Sequence, residues 1–237
     1  MRSLALGRNP ALALPDEIGD LGELIALYLD EMQLASVPEW IGRLAQLRVL
    51  DLGHNALASL PAGIERLRAL EILYLSDNRF AELPTQVRRL RALTYLGATD
   101  NRIAELPEWI GELDALTELR LYRNRLTALP AAIGALGRLR ELYLRGNRIA
   151  ALPEAVGDLQ DLRHLELRDN ALTAVPATLG RLQRLRILDL RQNRLTALPD
   201  ALGDLPALEK LDLRWNGFLD PPPFAERLRA RDCVVLL

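Results

Sequence analysis

The 237-residue sequence is poor in cysteine and in aromatic side chains. Cys233 is its single cysteine, so an intramolecular disulfide is excluded and a disulfide-bridged extracellular cap is not expected. Aromatic residues make up 5% of the chain, whereas hydrophobic residues make up 49%. Because leucine and alanine supply the apolar mass, the composition favours a core of many similar small layers over one built around large rings.

Long apolar runs and a strong net charge are also missing. No stretch approaches the roughly 20 apolar residues that cross a bilayer, and the N-terminal run Leu4–Leu6 is too short for a signal peptide. The net charge of −2 provides no general attraction to nucleic acid or to an anionic membrane. We therefore expect no membrane association, and a cytoplasmic location or, for a bacterial effector, delivery into a host cell.

Lysine and histidine are nearly absent. Lys210 is the only lysine, and His54 and His164 are the only histidines. A preference for arginine over lysine is typical of a GC-rich bacterial genome, although selection for arginine chemistry is the alternative interpretation.

The dominant feature of the sequence is a repeat with a period of 23 residues. One asparagine recurs at this step, except in the slot that Met32 occupies. The asparagines are Asn9, Asn55, Asn78, Asn101, Asn124, Asn147, Asn170, Asn193 and Asn216. Because prolines from Pro15 to Pro222 keep the same step, we expect one repetitive domain with no room for a second.

Each repeat combines a strand pattern with a turn pattern, as residues 116–136 show. Leu119 and Leu121 are two residues apart and share the buried face of a strand, so Arg120 points the other way. The following apolar residues, spaced by three or four, predict a short α or 3₁₀ turn behind the strand. Gly134 is expected to adopt a strained backbone at the end of this turn.

The repeating asparagine has a physical reason. The chain bends sharply after each strand and leaves buried backbone groups without partners in the sheet. An amide side chain both donates and accepts hydrogen bonds, so stacked asparagines can satisfy these groups as a ladder. Met32 cannot do this, and we expect a weak rung there that depends on water or on a shifted loop.

The pattern L-x-x-L-x-L-x-x-N followed by L-P-x-x-I-G-x-L resembles that of leucine-rich-repeat proteins, in particular the 23-residue class of intracellular Ras-group and bacterial proteins. The resemblance covers residues 1–217 and implies an α/β solenoid, a curved horseshoe of ten repeats. A parallel sheet would line its concave face, with short α or 3₁₀ turns on the convex face. Glycine is missing from the pattern at Glu65 and Arg88, and a strand leucine is missing at Ala98. The family also implies protein binding.

The two ends differ in their pattern. Met1 occupies the first leucine slot, which indicates either a first strand that tolerates fraying or a piece of a longer protein whose open edge pairs with something else. Residues 218–237 leave the repeat and are predicted to form a C-terminal cap. Within it, residues 224–231 suit a helix, and Val234 and Leu236 fall on the register of an eleventh strand.

The exposed strand positions contain the candidate binding residues. All five tyrosines fall on these positions, and four of them predict a diagonal band roughly 15 Å long on the concave face. Exposed tyrosine near arginine is typical of binding hot spots, although tyrosine also simply suits strands. The predicted partner-binding residues are Tyr74, Tyr95, Tyr122, Tyr143, Arg120, Arg123 and Arg145, with the arginines pairing to acidic groups of the partner.

A column of arginines follows the later strands at Arg145, Arg168, Arg191 and Arg214. The last three have an acid two residues earlier, at Glu166, Asp189 and Asp212 respectively. We expect these pairs to form a nearly neutral ladder in which each pair contributes about 0–1 kcal/mol. On the convex side, Trp40 and Trp109 share a slot and are expected to cover the turns.

Catalysis is not expected. His54 and His164 are about five repeats apart, too far for a shared metal ion or a proton relay, and no phosphate-binding, dinucleotide or metal-binding motif occurs. We predict a monomeric protein, without cofactor or metal, that binds a protein or peptide partner. Acidic strand residues such as Asp51 and Glu118 would repel nucleic acid. The alternatives are a regulatory or substrate-recognition segment of a larger GTPase, kinase or ubiquitin ligase, and a scaffold without a partner.

Overall fold

A computed structural model describes residues 1–10 and 12–237, which form two compact units, residues 1–103 and residues 104–237. In each unit, parallel strands of three residues follow one another in chain order, and a short 3₁₀ turn connects each strand to the next. The predicted combination of parallel strands and short turns is therefore confirmed.

The strands of the first unit are β1 (Ser3–Ala5), β2 (Ala26–Tyr28), β3 (Val49–Asp51), β4 (Ile72–Tyr74) and β5 (Tyr95–Gly97). Its 3₁₀ turns are η1 (Asp16–Asp20), η2 (Glu39–Arg43), η3 (Ala62–Arg66) and η4 (Thr85–Arg89).

The strands of the second unit are β6 (Glu118–Arg120), β7 (Glu141–Tyr143), β8 (His164–Glu166), β9 (Ile187–Asp189), β10 (Lys210–Asp212) and β11 (Val234–Leu236). Its turns are η5 (Glu108–Glu112), η6 (Ala131–Ala135), η7 (Glu154–Asp158), η8 (Ala177–Arg181) and η9 (Asp200–Asp204), and one helix, α1 (Ala225–Arg229), precedes β11.

Columns of leucine form the core of each unit. The middle residue of every strand from β2 to β10 is a fully buried leucine, whereas the residue before it is partly exposed. Parallel pairing aligns these leucines at the repeat step, as in Leu27, Leu50 and Leu73. Burying one leucine side chain contributes about 1.5–3 kcal/mol, so the regular period itself builds the core.

The repeating asparagine forms the predicted hydrogen-bond ladder. Asn78 Oδ1 accepts a hydrogen bond from the backbone N–H of Leu57 at 2.9 Å, and its Nδ2 donates to backbone carbonyls of its own and the preceding repeat. Asn193 makes the same set of contacts in the second unit, where Leu172 is the donor. Each of these side chains satisfies backbone groups of two successive repeats, which explains the strict spacing.

The rung at Met32 is supported by the next repeat. Asn55 Nδ2 donates to the carbonyl of Leu29 at 2.8 Å, and Asn55 Oδ1 accepts from the backbone N–H groups of Met32 and Leu34. Gln33 has a φ of 59°, a left-handed conformation that no other described residue adopts at this repeat position. The loop thus departs from the other repeats at this rung, in agreement with one of the two expected alternatives, and Asn55 satisfies part of what an asparagine at position 32 would have satisfied. The weakness of the rung stays a prediction.

The glycine of the turns has a different role from the expected one. Gly134 does not lie in the left-handed region, and a Cβ atom on it would lie 2.5 Å from the carbonyl oxygen of Ala155 in the next turn. Gly111 faces the carbonyl oxygen of Ala132 at the same distance. The prediction of a strained backbone is wrong at this position, because glycine is needed there for the close approach of successive turns.

The left-handed residue is instead the one before each asparagine. Asp77 and Arg123 adopt φ values of 53° and 47°, and Gly146 is the only described glycine in this region. Trp215, with a φ of 59°, is the largest side chain in this slot. A bulky residue rarely adopts such a conformation, which makes this position unusual among the repeats.

The C-terminal segment packs on the second unit as predicted. The helix α1 lies within the expected range 224–231, and β11 pairs in parallel with β10 through Leu211 and Val235. Phe224 and Leu228 are fully buried and extend the core beyond the last repeat. The ten repeat strands are thus followed by an eleventh, while the assignment of residues 1–217 and 218–237 to one domain stays a prediction.

Candidate functional site

The strand face is defined here as the side of each sheet opposite the buried leucines. All five tyrosines lie there, each of them partly exposed: Tyr28, Tyr74, Tyr95, Tyr122 and Tyr143. Tyr28, Tyr74 and Tyr95 belong to the first unit, and Tyr122 and Tyr143 belong to the second.

In the first unit, the rings of Tyr74 and Tyr95 form a pair. Their centroids are 4.9 Å apart and their planes are inclined by 49°. Ile72 lies beside Tyr95 in the strand register, and Val49 lies beside Ile72, both of them partly exposed. The strand face of this unit therefore presents rings and aliphatic side chains together.

The charges on this face are negative. Burial raises the pKa of the Asp51 carboxyl, and the neighbouring charge of Asp30 raises it further. The backbone N–H of Gly53 donates to Asp51 at 2.9 Å and partly offsets the shift. The described strands β1–β5 contain no arginine or lysine, so no cation on them compensates these carboxylates.

In the second unit, a larger cluster is built around Tyr143. Its ring centroid lies 5.3 Å from that of Tyr122 and 4.9 Å from that of His164, and the guanidinium of Arg120 lies 5.1 Å from it. Burial lowers the pKa of His164, which favours the neutral imidazole. Histidine at this position was not predicted as a site residue, because its contact with Tyr143 depends on the strand register.

Both hydroxyl groups of this cluster are held by glutamates. The hydroxyl of Tyr122 donates to Glu166 at 2.8 Å, and that of Tyr143 donates to Glu141. Burial and these carboxylates raise the pKa of both phenols well above the usual value. The hydrogen bonds fix the orientation of the rings and leave their apolar surfaces for contact with other groups.

An ion-pair network follows this cluster. Arg191 pairs with Asp189 and, at 3.3 Å, with Asp212, and Arg214 pairs with Asp212 at 2.7 Å. Asp212 is fully buried, and although burial opposes its ionisation, hydrogen bonds and charges from both arginines hold its pKa below the usual value. The predicted neutral ladder is therefore present at β9 and β10.

The ladder does not extend to Arg168 as expected. Arg168 Nε donates to Gln192 Oε1 at 2.9 Å, whereas Glu166, its expected partner, accepts from Tyr122. The predicted pair of Arg168 and Glu166 is wrong, because each side chain binds a residue of another repeat. The side chain of Arg168 reaches Gln192 in the next repeat, and the hydroxyl of Tyr122 reaches Glu166 from two strands away.

The three arginines of the predicted site have different environments. Arg120 pairs with Glu118 on its own strand, beside the Tyr143 ring. Arg123 is exposed in the left-handed slot before Asn124. Arg145 is partly exposed and forms no ion pair with the residues that the structure describes. No ion pair of Arg145 is therefore present in the part of the chain that the structure describes, whereas Arg120 has one.

Comparison with known proteins identifies the repeat. A family model described as a leucine-rich repeat region matches residues 39–142 and 130–229. The chain belongs to the leucine-rich-repeat family. No curated protein shows significant similarity to it.

Solved leucine-rich-repeat structures resemble the chain closely. The Leptospira interrogans LRR protein LIC12759 is 36% identical, with a TM-score of 0.94 over 100% of this chain and 60% of that chain. The plant peptide hormone receptor RGFR1, solved in complex with RGF2, is 30% identical, with a TM-score of 0.79 over 91% of this chain and 36% of that one. The ectodomain of the Arabidopsis thaliana receptor kinase GASSHO1/SCHENGEN3, in complex with CASPARIAN STRIP INTEGRITY FACTOR 2, is 26% identical, with a TM-score of 0.65 over 96% and 34%. The chain therefore spans less than two thirds of each of these proteins.

The tryptophans of the leucine-rich repeats lie in three different environments. Trp40 is buried in η2, and its Nε1 has no hydrogen-bond partner among the described residues, whereas Trp109 in η5 is half-buried. Trp215 is 61% exposed, with the guanidinium groups of Arg214 and Arg168 at 5.3 and 6.0 Å from its ring.

Two structural features are absent from residues 1–10 and 12–237. These residues contain no group of three or more histidine, cysteine or acidic side chains placed to hold a metal ion. None of their helices has both the length and the apolar character required to traverse a bilayer. His54 pairs with Asp77 at 2.8 Å, and Cys233 is buried, with its thiol pKa raised by burial.

Proposed function

We propose that this leucine-rich-repeat protein is a non-enzymatic binding module that recognises a protein or peptide through the strand face. One observation carries the proposal: on each unit, exposed tyrosine rings lie against one another on the face that does not contribute to the leucine core. The proposed anchors are Tyr74 and Tyr95 in the first unit and Tyr122 and Tyr143 in the second.

The tyrosine rings could bury additional apolar area on binding. On the strand face they are only partly buried, so each would bury further apolar area if a partner covered it. The parallel strands hold the rings on a rigid surface, and the hydroxyl groups of Tyr122 and Tyr143 are already bound to glutamates. Binding would therefore order few side chains, which lowers its entropic cost.

The charged residues of the second unit support a partner with acidic groups. Arg145 has no ion pair among the described residues, and the proposal assigns it, together with Arg120 and Arg123, to acidic groups of the partner. Nucleic acid fits this surface poorly, because Glu141 and Glu166 lie beside the rings and would repel phosphate.

The comparisons support the class of partner but not its identity. The solved complexes of RGFR1 and GASSHO1/SCHENGEN3 are receptors with bound partners, and those partners belong to those receptors.

The proposed function is tested with tyrosine variants on a partner captured from cell extract and then purified. We expect Tyr122→Ala/Tyr143→Ala to weaken binding by tenfold or more, since truncation of hot-spot rings costs about 2 kcal/mol or more. Tyr122→Phe/Tyr143→Phe should bind nearly as well as the wild type, because the hydroxyl groups are held within the chain. Equal affinity of the alanine variant, at unchanged thermal stability, would place the binding site elsewhere.

A further inference from the structure

A hollow of about 230 Å³ lies on the strand face of the second unit, next to the Tyr143 cluster. It extends over β8, β9 and β10, and its wall includes the imidazole of His164, which contacts Tyr143. Ile187 lies between His164 and Lys210 in the strand register, and all three are partly exposed. The hollow therefore combines one aliphatic side chain with two side chains that can donate hydrogen bonds.

Lys210 is the unmatched cation of this hollow. It forms no ion pair with any residue in the described part of the chain. It is also the only lysine of the protein, in a chain whose other basic side chains are all arginines. An ammonium group is a compact point charge, whereas a guanidinium group is a broad planar fork, so lysine leaves more room in a small hollow.

The acids that line the hollow are already engaged. Asp189 pairs with Arg191, and Asp212 pairs with both Arg191 and Arg214. Glu166 accepts the hydroxyl of Tyr122. Burial lowers the pKa of His164, which favours its neutral form. Arginines thus neutralise Asp189 and Asp212, whereas Glu166 keeps its negative charge on β8, two strands away from Lys210 on β10. None of the three acids forms an ion pair with Lys210.

The lining of the hollow indicates the chemistry of a ligand group that would occupy it. A carboxylate would pair with the ammonium group of Lys210, and a short aliphatic chain would pack against Ile187. A glutamate or aspartate side chain supplies both parts and is small enough for the available volume. A basic side chain would meet Lys210 with a charge of the same sign, which costs affinity.

We propose that the hollow formed by His164, Ile187 and Lys210 receives an acidic side chain of a bound peptide segment, with Lys210 as the ion-pair partner of its carboxylate. This inference rests on the proposed function and specifies the partner further. Next to the segment that contacts the Tyr143 cluster, the partner would have an aspartate or glutamate whose side chain enters the hollow. Neither Lys210 nor His164 belongs to the leucine core, so both can be changed without a cavity.

The experiment selects binders from a phage-displayed library of random 12-residue peptides on the full chain. We expect the selected peptides to be enriched in glutamate or aspartate relative to the unselected library. For one synthetic peptide from the selection, Lys210→Met should weaken binding about tenfold, because it removes the charge and keeps an aliphatic stem. Replacing the acidic residue of the peptide by its amide should weaken binding to the wild-type protein by the same factor as Lys210→Met does. The amide peptide and the acidic peptide should bind the Lys210→Met variant with equal affinity.

The matched control is Arg194→Met, which removes one exposed positive charge of the same unit outside the hollow. It should leave affinity unchanged, so that a general effect of net charge is separated from a specific pair. No enrichment of acidic residues, an effect of Lys210→Met no larger than that of Arg194→Met, or full additivity of the two changes would each overturn the inference.

The same peptide separates this inference from the proposed function. If Tyr122→Ala/Tyr143→Ala abolishes binding and Lys210→Met does not weaken it, the strand-face function stands and the inference fails. If only Lys210→Met weakens binding, the inference stands and the tyrosine anchors fail. A second measurement needs no substitution. The bound peptide should slow the acetylation of Lys210, and mass spectrometry follows this reaction directly because Lys210 is the only lysine of the protein. An unchanged acetylation rate would overturn the inference.

Discussion

The two units share a core and differ on the strand face. In both, buried leucines lie in register and asparagines form the same ladder. The strand face of residues 1–103 contains rings, aliphatic side chains and carboxylates, with no arginine or lysine on the described strands β1–β5. That of residues 104–237 contains rings within a network of ion pairs. The repeat therefore constrains the inward positions and leaves the outward positions available for binding chemistry.

The close approach of successive turns occurs in both units. In the second unit, Gly111 and Gly134 allow a carbonyl oxygen of the next turn to approach, and in the first unit Gly42 does the same for the carbonyl oxygen of Gly63. Glu65 takes the glycine slot in η3, where it is half-buried. Glycine is thus used for close packing at some turns and replaced at others.

The largest expected effect tests what the units share. Asn78→Ala, Asn124→Ala and Asn193→Ala should each destabilise the protein by at least about 1–3 kcal/mol, because buried backbone groups lose their partners. Urea denaturation measures these values, and Asn9→Ala, at an exposed position, is the control with a smaller effect. A harmless Asn78→Ala would contradict the ladder argument.

The next effect tests the close approach of turns in the second unit. Gly134→Ala should cost about 1–3 kcal/mol, because its Cβ would collide with the backbone of Ala155. Gly137 has open space where a Cβ would be, so Gly137→Ala should be neutral or stabilise by about 0.4–1 kcal/mol. Equal effects of the two substitutions in thermal unfolding would show that glycine at position 134 is not required for packing.

A smaller effect tests the difference between the strand faces. Asp51 and Asp212 occupy the same repeat position, one without and one with cationic partners. Asp212→Asn should cost about 1–3 kcal/mol through the loss of charge-assisted hydrogen bonds, while Asp51→Asn should be neutral or stabilising. Hydrogen exchange locates each change in its own unit. If Asp51→Asn were the more damaging, the contrast between the two faces would be wrong.

The pH dependence of these two variants should have opposite signs. The pKa of Asp51 is raised in the folded state, so its unfavourable contribution is absent below the unfolded value of about 3.9 and develops as pH rises through the folded value. The pKa of Asp212 is lowered, so its favourable contribution is present above about 3.9 and is lost as pH falls through the folded value. Unfolding free energies at pH 7, 5 and 3 should therefore show the effect of Asp51→Asn vanishing on acidification, and that of Asp212→Asn persisting to lower pH.

The smallest effect concerns the irregular rung of the first unit. Met32→Asn should be neutral or slightly stabilising, because Asn55 already satisfies part of this rung and methionine is buried there. Denaturant midpoints of the two proteins measure the difference. A clear loss of stability would show that the buried side chain of Met32 contributes more than a restored amide.

Part of the candidate site was predictable from the alternation along each strand. That alternation places Tyr74, Tyr95 and Tyr143 outward, because successive side chains of a strand point to opposite sides. The partners of these rings were not predictable from spacing alone. Tyr122 binds Glu166 two strands away, and Arg168 turns to Gln192, because long side chains choose among neighbours by reach and geometry.

The sequence by itself determined the leucine-rich-repeat fold, the asparagine ladder and the C-terminal cap, because a fixed period of 23 residues places equivalent side chains in equivalent environments. The tertiary structure alone decided why glycine occurs in the turns, which residue is left-handed, and which acids neutralise which arginines. It also placed Lys210 beside Ile187 with no acidic partner among residues 1–10 and 12–237. These features depend on distances between side chains of different repeats, and a periodic sequence specifies which residues are neighbours but not which of them interact.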